Sequence, residues 1–343
     1  MTERTLVGLD EWTAAEDEAA RWRLLARVAV LAPSGHNTQP WLFRIVDDGA
    51  LELLADRTRA LPVVDPDDRE LTMSCGAALA TLQIAAARFR RRAMVERLPD
   101  PERPDLMARV RIDQPAEADD EATRLYEVIA RRHTDRGPYQ ATPIAEDTLA
   151  ELERVARAHG AWLVCVTDEA RRAALADAVA EGDRIQMSDP RFRRELAAWV
   201  HRNRTRSRDG LPGYAVGVTN DLLSNAAKLV IRLFDTGSGQ AAKDRELAEG
   251  SPALLVLGTD ADVEGAWLRA GEALARVWLE ACARNLSVSF LNQPIELPEL
   301  RPDVAEVVAH DGFPQLLLRV GHPAGDRDPR RSPRRAIEDV LTA

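Results

Sequence analysis

The apolar positions of this chain fall into runs of two different periods. Trp22, Leu25 and Val28 share a helix face, and the stretch Trp41 to Val46 that follows reads as a strand. "LELLA", Leu51 to Ala55, predicts a second strand, and Leu71 to Arg90 a long buried helix. Strand-like pieces follow at Ala93 to Leu98 and Ala108 to Ile112. A first α/β unit therefore spans about Leu24 to Ile112. The polar, Pro- and acid-rich stretch Asp113 to Glu121 is the expected boundary, dividing the chain into 1–115 and 116–343. Beyond it the pattern predicts helices carrying Leu125, Val128 and Ile129 and around Leu149 to Ala158, then a strand at Trp162 to Val166. Two more helical stretches reach about Arg206, and the closing strand is Gln315 to Gly321. The class this predicts is α+β, with central sheets flanked by helices.

Two segments echo one another. "CGAALATLQIAAARF", Cys75 to Phe89, and "AGEALARVWLEACARN", Ala270 to Asn285, align Gly76 with Gly271, Leu79 with Leu274 and Ile84 with Leu279. Both have the spacing of a buried helix, and both follow a hydrophobic strand candidate, Leu51 to Ala55 in one case and Ala253 to Gly258 in the other. Ala- and Leu-rich helices also look alike through composition alone. The alternative is two related units in tandem, at a period far longer than that of a solenoid.

One segment fits neither period. Residues 207–248 hold Gly210, Gly213, Gly217, Gly237 and Gly239 around a short apolar helix candidate, Leu222 to Phe234. This reads as a mobile or covering element.

Composition narrows the class. A chain of 343 residues with 45% hydrophobic side chains fits a soluble globular protein of about two domains. A net charge of −10 argues against general nucleic-acid binding. The three cysteines stand far apart in apolar runs, without redox or zinc spacing, as expected of a reducing cytoplasm. The amino-terminal residues are too polar for a signal peptide, and no apolar run approaches the ~20 residues that span a bilayer. The expected location is the cytoplasm, with no membrane partner. There is no Walker loop, no Gly-x-Gly-x-x-Gly after a strand and no nucleophile elbow. The histidines show no metal-ligand spacing, so no metal site and no catalytic triad are expected.

Chemistry concentrates in three places. "LAPSGHNTQPW", Leu31 to Trp41, joins the first helix to the first strand. Pro33, Ser34 and Gly35 leave little side chain before an approaching ligand, while the amides of Asn37 and Gln39 each donate and accept, which suits a planar ring of alternating N–H and C=O groups. "RRHTDR" places Arg131, Arg132, Thr134 and Arg136 together at a helix end, where three guanidiniums either bind an anion or complement the helix dipole. The basic tail "RRSPRR", residues 330–335, is either a solvated run or a turn that aims Arg334 or Arg335 inward.

Taken with the glycine-started helix ending in "FLNQP" and the closing "LLLRVGHP", these segments resemble the flavin-dependent nitroreductase family, in particular its Acg-like branch. The resemblance covers about Arg21 to Val340. It implies FMN as cofactor, NAD(P)H as transient reductant and a nitroaromatic or quinone-like acceptor as substrate. Family members are homodimers with FMN at the interface, so this longer chain implies a fused pseudo-dimer, acting as a monomer or pairing again, with one complete site. By residue, Arg131, Arg132, Thr134 and Arg136 would hold the phosphate, ribityl or pyrimidine edge, with Arg334 and Arg335 closing on the phosphate. Pro33, Ser34, Gly35, Asn37 and Gln39 would contact the ring from the other unit. Leu291, Asn292 and Gln293 would offer backbone donors near N5. The resemblance also implies an alternative, flavin storage beneath a covering insertion that blocks the nicotinamide site, with Tyr214 and the glycines around it as the candidates for that contact. Thr134 replaces the family's usual serine, and Gly35 and His36 occupy a turn that often carries a second one.

Overall fold

The computed structural model describes residues 5–203, 205–216, 218, 220–221, 224–233, 237–325 and 331–342. Its first elements are α1 (Leu9–Thr13) and α2 (Glu18–Ala29), followed by β1 (Trp41–Ile45) and β2 (Leu51–Ala55). Then come α3 (Arg69–Arg88), β3 (Arg91–Arg97), β4 (Leu106–Pro115) and α4 (Asp120–Val128). Asp17 caps α2 by accepting the Ala20 N–H at 2.7 Å, and Trp22, Leu25 and Val28 are its buried face. The β1–β2 hairpin turns at Gly49, whose φ of +78° suits a residue without Cβ. The Trp22 indole donates to the Gly49 carbonyl at 2.9 Å, tying helix to hairpin.

The remaining elements are α5 (Glu146–Ala158), β5 (Trp162–Val166), α6 (Glu169–Ser188), α7 (Pro190–Trp199), β6 (Val200–His201), β7 (Leu211–Pro212), α8 (Ser224–Leu233) and α9 (Gly237–Glu249). They continue with β8 (Ala253–Thr259), α10 (Glu264–Ala283), β9 (Ser287–Phe290), α11 (Gln293–Glu296), α12 (Arg301–Val308), β10 (Phe313–Gly321) and β11 (Leu341–Thr342). The helix expected from Leu222 to Phe234 is α8 over its described part; both its expected ends lie outside the described residues. Among the described residues no helix is long and apolar enough to cross a membrane.

Two sheets carry the fold. One has the order β11-β1-β2-β4-β3, the other β5-β8-β10-β9. Leaving β11 aside, the orders match strand for strand: an antiparallel pair, a long helix leaving its second strand, and a last strand inserted antiparallel between that second strand and the third. Sequence order and spatial allegiance then diverge. Leu125, Tyr126, Val128 and Ile129 of the α4 region pack into the core of the first sheet, and the Tyr126 hydroxyl donates to the Val7 carbonyl at 2.9 Å. Strand β11 returns across the whole chain to pair in parallel with β1, Phe43 opposite Leu341. The packing thus runs across the boundary expected near residue 115.

Helices α3 and α10 cross at the centre. A Cβ on Gly76 would lie 2.0 Å from the Leu268 carbonyl oxygen, and one on Gly271 would lie 1.9 Å from that of Met73. The two glycines aligned in the sequence are thus the two that let the helix backbones touch. Around the crossing, α10 buries two carboxylates against arginines of β3 and α4. Glu272 receives a two-pronged pair from Arg97 at 2.7 and 2.8 Å, and Glu280 receives Arg124 at 2.6 Å. Gly271→Ala is expected to lower unfolding free energy by about 3 kcal/mol or more, because backbone faces backbone and neither can swing aside. Urea denaturation of the variant measures this, and a midpoint equal to wild type would contradict the crossing.

Candidate functional site

The end of α2 feeds a turn that extended or helical backbone cannot make. His36, Asn37 and Gln39 all have positive φ, +48°, +55° and +53°. Such backbone costs free energy for residues with a Cβ, so surrounding contacts must hold it. Arg334 Nη1 donates to Asn37 Oδ1 at 2.8 Å, and Asn37 Nδ2 donates to the carbonyls of Gly210 and Pro333 at 3.2 Å each. Gln39 Nε2 donates to the Arg208 carbonyl at 2.8 Å, and Gln39 Oε1 accepts from the Arg335 N–H at 2.8 Å. Arg59 adds a bond to the Thr38 carbonyl and an ion pair with Asp209. The turn, the start of the insertion and the carboxy-terminal strap are one hydrogen-bonded knot.

The segment after α4 runs beside β9, with Thr134 bridged to Val288 in parallel. Arg319 on β10 fixes it, donating to the carbonyls of Asp135 and Gly137 at 2.9 Å each while lying 4.1 Å over the Tyr139 ring. Between this segment and the turn opens a cavity of ≈ 320 Å³. It is within the range of small-molecule sites.

Ten of the residues expected from the sequence line it: Pro33, Ser34, Gly35, Asn37, Arg132, Thr134, Arg136, Asn292, Gln293 and Arg334. Four do not. Gln39 is wholly buried in the knot, and Arg335 is spent on Gln39 and Asp56. Arg131 turns outward to Asn285 at 2.9 Å, and the Leu291 N–H donates to the Leu317 carbonyl at 2.9 Å. Asn37 reaches the cavity with its amide already used by protein groups, so its part is to brace the turn. Tyr214 is not in the lining, although its neighbours Ala215 and Val216 are.

The cavity has two chemical ends. At one, Arg132 stacks 4.5 Å over Trp278 and donates to the Leu31 carbonyl at 2.9 Å; burial brings its pKa down to about 10, still charged at neutral pH. Arg136 keeps solvent contact through the cavity, and among the described residues no group hydrogen-bonds or ion-pairs its guanidinium. Crowding by protein lowers its pKa through desolvation. The Thr134 hydroxyl and the His36 ring likewise have no hydrogen-bond partner among the described residues. Desolvation, then Arg136, pushes His36 down to about 4, so it faces the cavity as a neutral ring.

The other end is acidic, and its carboxyls lie outside the site expected from the motifs. Gln186 of α6 donates to Glu296 of α11 at 2.6 Å, and Gln293 of α11 donates back to Asp183 of α6 at 3.1 Å. Gln293 also bonds Asp244 at 3.1 Å, and Asn292 donates to Glu70 at 3.0 Å. The available signal was an acid and an amide three residues apart on each of two helices, beside Gly182, where a Cβ would lie 2.8 Å from Gln293 Cβ. Desolvation, then Asp244, raises Asp183 to about 8; desolvation raises Glu296 to about 7 and moves Glu70 well above its ordinary value. Among the described residues no group of three or more His, Cys, Asp or Glu is placed to hold a metal ion.

No protein-family model matches the chain. Two Mycobacterium tuberculosis proteins named as NAD(P)H nitroreductases do. Rv3131 is 35% identical over 329 residues, covering 94% of this chain and 92% of its own, and acg is 30% identical over 320 residues, covering 92% and 93%. The chain belongs to this NAD(P)H nitroreductase family. That membership bears out the resemblance read from the motifs. A solved FMN and NADPH-dependent nitroreductase, NfnB of a Sphigopyxis strain, aligns with 64% of this family member and 98% of its own chain, at 20% identity and a TM-score of 0.43.

The acidic end sets a pH dependence. Unfolded, these carboxyls ionise near pH 4; folded, Glu296 and Asp183 ionise near 7 and 8. Between those limits the folded state holds more protons, so stability falls as pH rises from about 4.5 to 8. The slope is up to about 1.4 kcal/mol per pH unit for each proton retained. Urea midpoints are expected to be lower at pH 8 than at pH 5.5, with Glu296→Gln recovering part of the loss; a flat or rising profile contradicts this account.

Proposed function

We propose that the cavity binds FMN and that the protein uses NAD(P)H to reduce nitroaromatic or quinone-like acceptors in the cytoplasm. The observation that carries this reading is the unmatched donor set: Arg136, Thr134 and His36 face a ligand-sized cavity and have no hydrogen-bond acceptor among the described residues. The residues present fit the cofactor. A phosphate or the pyrimidine carbonyls supply the acceptors that these donors lack, and Pro33, Ser34 and Gly35 leave a low wall for a flat ring. Bound FMN supplies hydride acceptance and donation. The chain's own part is to orient it and to set the local charge. Arg136 and Arg132 hold positive charge at the donor end, which favours an anionic reduced ring, and the His36 ring adds a neutral polar contact. The matching strand orders of the two sheets support reading the chain as a fused pseudo-dimer with one composite site.

A second reading, flavin storage, is favoured by the insertion. Leu211, Ala215, Val216, Ile231, Gln240 and Asp244 all line the cavity, and Asn37, Gln39 and Arg59 clamp the start of that segment. A cover held so firmly excludes substrate as well as water.

Purified protein is expected to be yellow or to take up added FMN. Anaerobic NADPH is expected to bleach the flavin and a quinone to restore it. Arg136→Ala is expected to weaken FMN binding by about tenfold or more, a loss of about 1.4 kcal/mol or greater. Flavin that dithionite reduces and NAD(P)H does not would favour storage; a protein that never takes up FMN would overturn both readings.

A further inference from the structure

A second cavity, of ≈ 510 Å³, lies behind the acidic end of the first. Its walls include Asp65, Arg69, Asp262, Trp267 and Arg301, and it shares one residue with the first cavity, Glu296. Glu70, which meets Glu296 carboxyl to carboxyl, lines only the first. Glu70 Oε2 would lie 3.3 Å from a Cβ on Gly35, so this carboxyl reaches the turn on the opposite wall. The two glutamates therefore span the partition, one end towards the ligand turn and the other towards a separate cavity. A further observation points to an occupant at the acidic end. Asp183 is buried to more than nine-tenths and lines the first cavity, and its Oδ2 finds no donor among the described residues and meets the Asp244 carboxyl instead.

We propose that Glu70 and Glu296 deliver the proton that a quinone-class acceptor takes up on reduction, and recover it from water in the second cavity. This rests on the FMN reading above. The balance for a quinone is one hydride equivalent, originating in NAD(P)H, and one proton. An O–H bond of the carboxyl pair breaks, an O–H bond forms on the acceptor oxygen, and the hydroquinone leaves. The pair, more negative by one charge, takes a proton from water behind it. The pair is suited to this because two carboxyls in contact share a proton, and burial keeps that proton bound near neutral pH. The groups facing the pair are mixed. Arg69 is 3.6 Å from Glu70 and is held by Gln315; Asp65 accepts the Glu70 N–H at 3.0 Å; Asp183 and Asp244 flank the pair on the first-cavity side. Arg301 and Asp262 pair with each other at 2.7 Å on the second-cavity side. Gln186 and Asn292 hold the two carboxyls in place through bonds that a glutamine substitution can keep.

The test uses full-length protein loaded with FMN, reduced with dithionite and mixed anaerobically with benzoquinone, for wild type, Glu296→Gln and Glu70→Gln. Reoxidation, read at saturating FMN, is expected to slow by about a hundredfold in each variant and to lose the wild-type dependence on pH and on D2O. Infrared spectra of the cofactor-free protein at pH 7 supply a readout apart from turnover: the absorption of protonated carboxyl groups is expected to weaken in both variants. Wild-type rates and isotope dependence in the variants, or no protonated-carboxyl absorption in wild type, would overturn proton delivery while FMN binding stands. Failure of wild type to take up FMN would overturn the cofactor reading and proton delivery with it.

Discussion

The contact of two helix backbones at Gly76 and Gly271 is the constraint on which the rest depends. Side chains at these positions would hold α3 and α10 apart, and each helix is the spine of one sheet. With the spines touching, Arg97 reaches Glu272 and Arg124 reaches Glu280, so two carboxylates buried on α10 gain cationic partners from β3 and α4. The same approach brings β9 and the segment after α4 opposite the turn after α2. The cavity is the space those two edges leave.

That space is polar in a directed way. Free donors stand at one end, and at the other a wall of carboxyl and amide groups whose bonds cross between α6 and α11. Charges of both signs are kept apart across the cavity by protein that satisfies neither end fully. Such a gradient orients a ligand that is acceptor-rich on one edge, and it keeps titrating groups beside the reaction space and not on the outer surface.

Much of this was legible in the residues. Periodicity alone placed strands at Leu51–Ala55 and Trp162–Val166 with the ends observed. The alignment of Gly76 with Gly271 is legible in the residues, whereas its cause, the helix crossing, is not. Local pattern was less informative about long-range use. Asn37 and Gln39 looked like ligand readers because their amides both donate and accept, yet carbonyls at residues 208, 210 and 333 take those same bonds. Arg131 and Arg132 are neighbours with opposite fates, since successive side chains at a helix end diverge and only Arg132 finds Trp278. The acidic wall was hidden for a different reason. Its members come from α3, α6, α9 and α11, and each by itself resembles an ordinary surface acid.

The return of β11 to β1 has a consequence for how the molecule forms. Phe43 pairs with Leu341, and Asn37 bonds Arg334 297 positions further on. Contacts that join such distant parts of a polypeptide carry a loop-closure entropy that nearer contacts do not. The strained turn at residues 36–39 draws its Arg334 and Arg335 braces from the far end of the chain. A molecule whose carboxy-terminal strap has not docked would keep the helix crossing and the second sheet, yet lack β11 at the edge of the first and the bonds that hold the ligand turn.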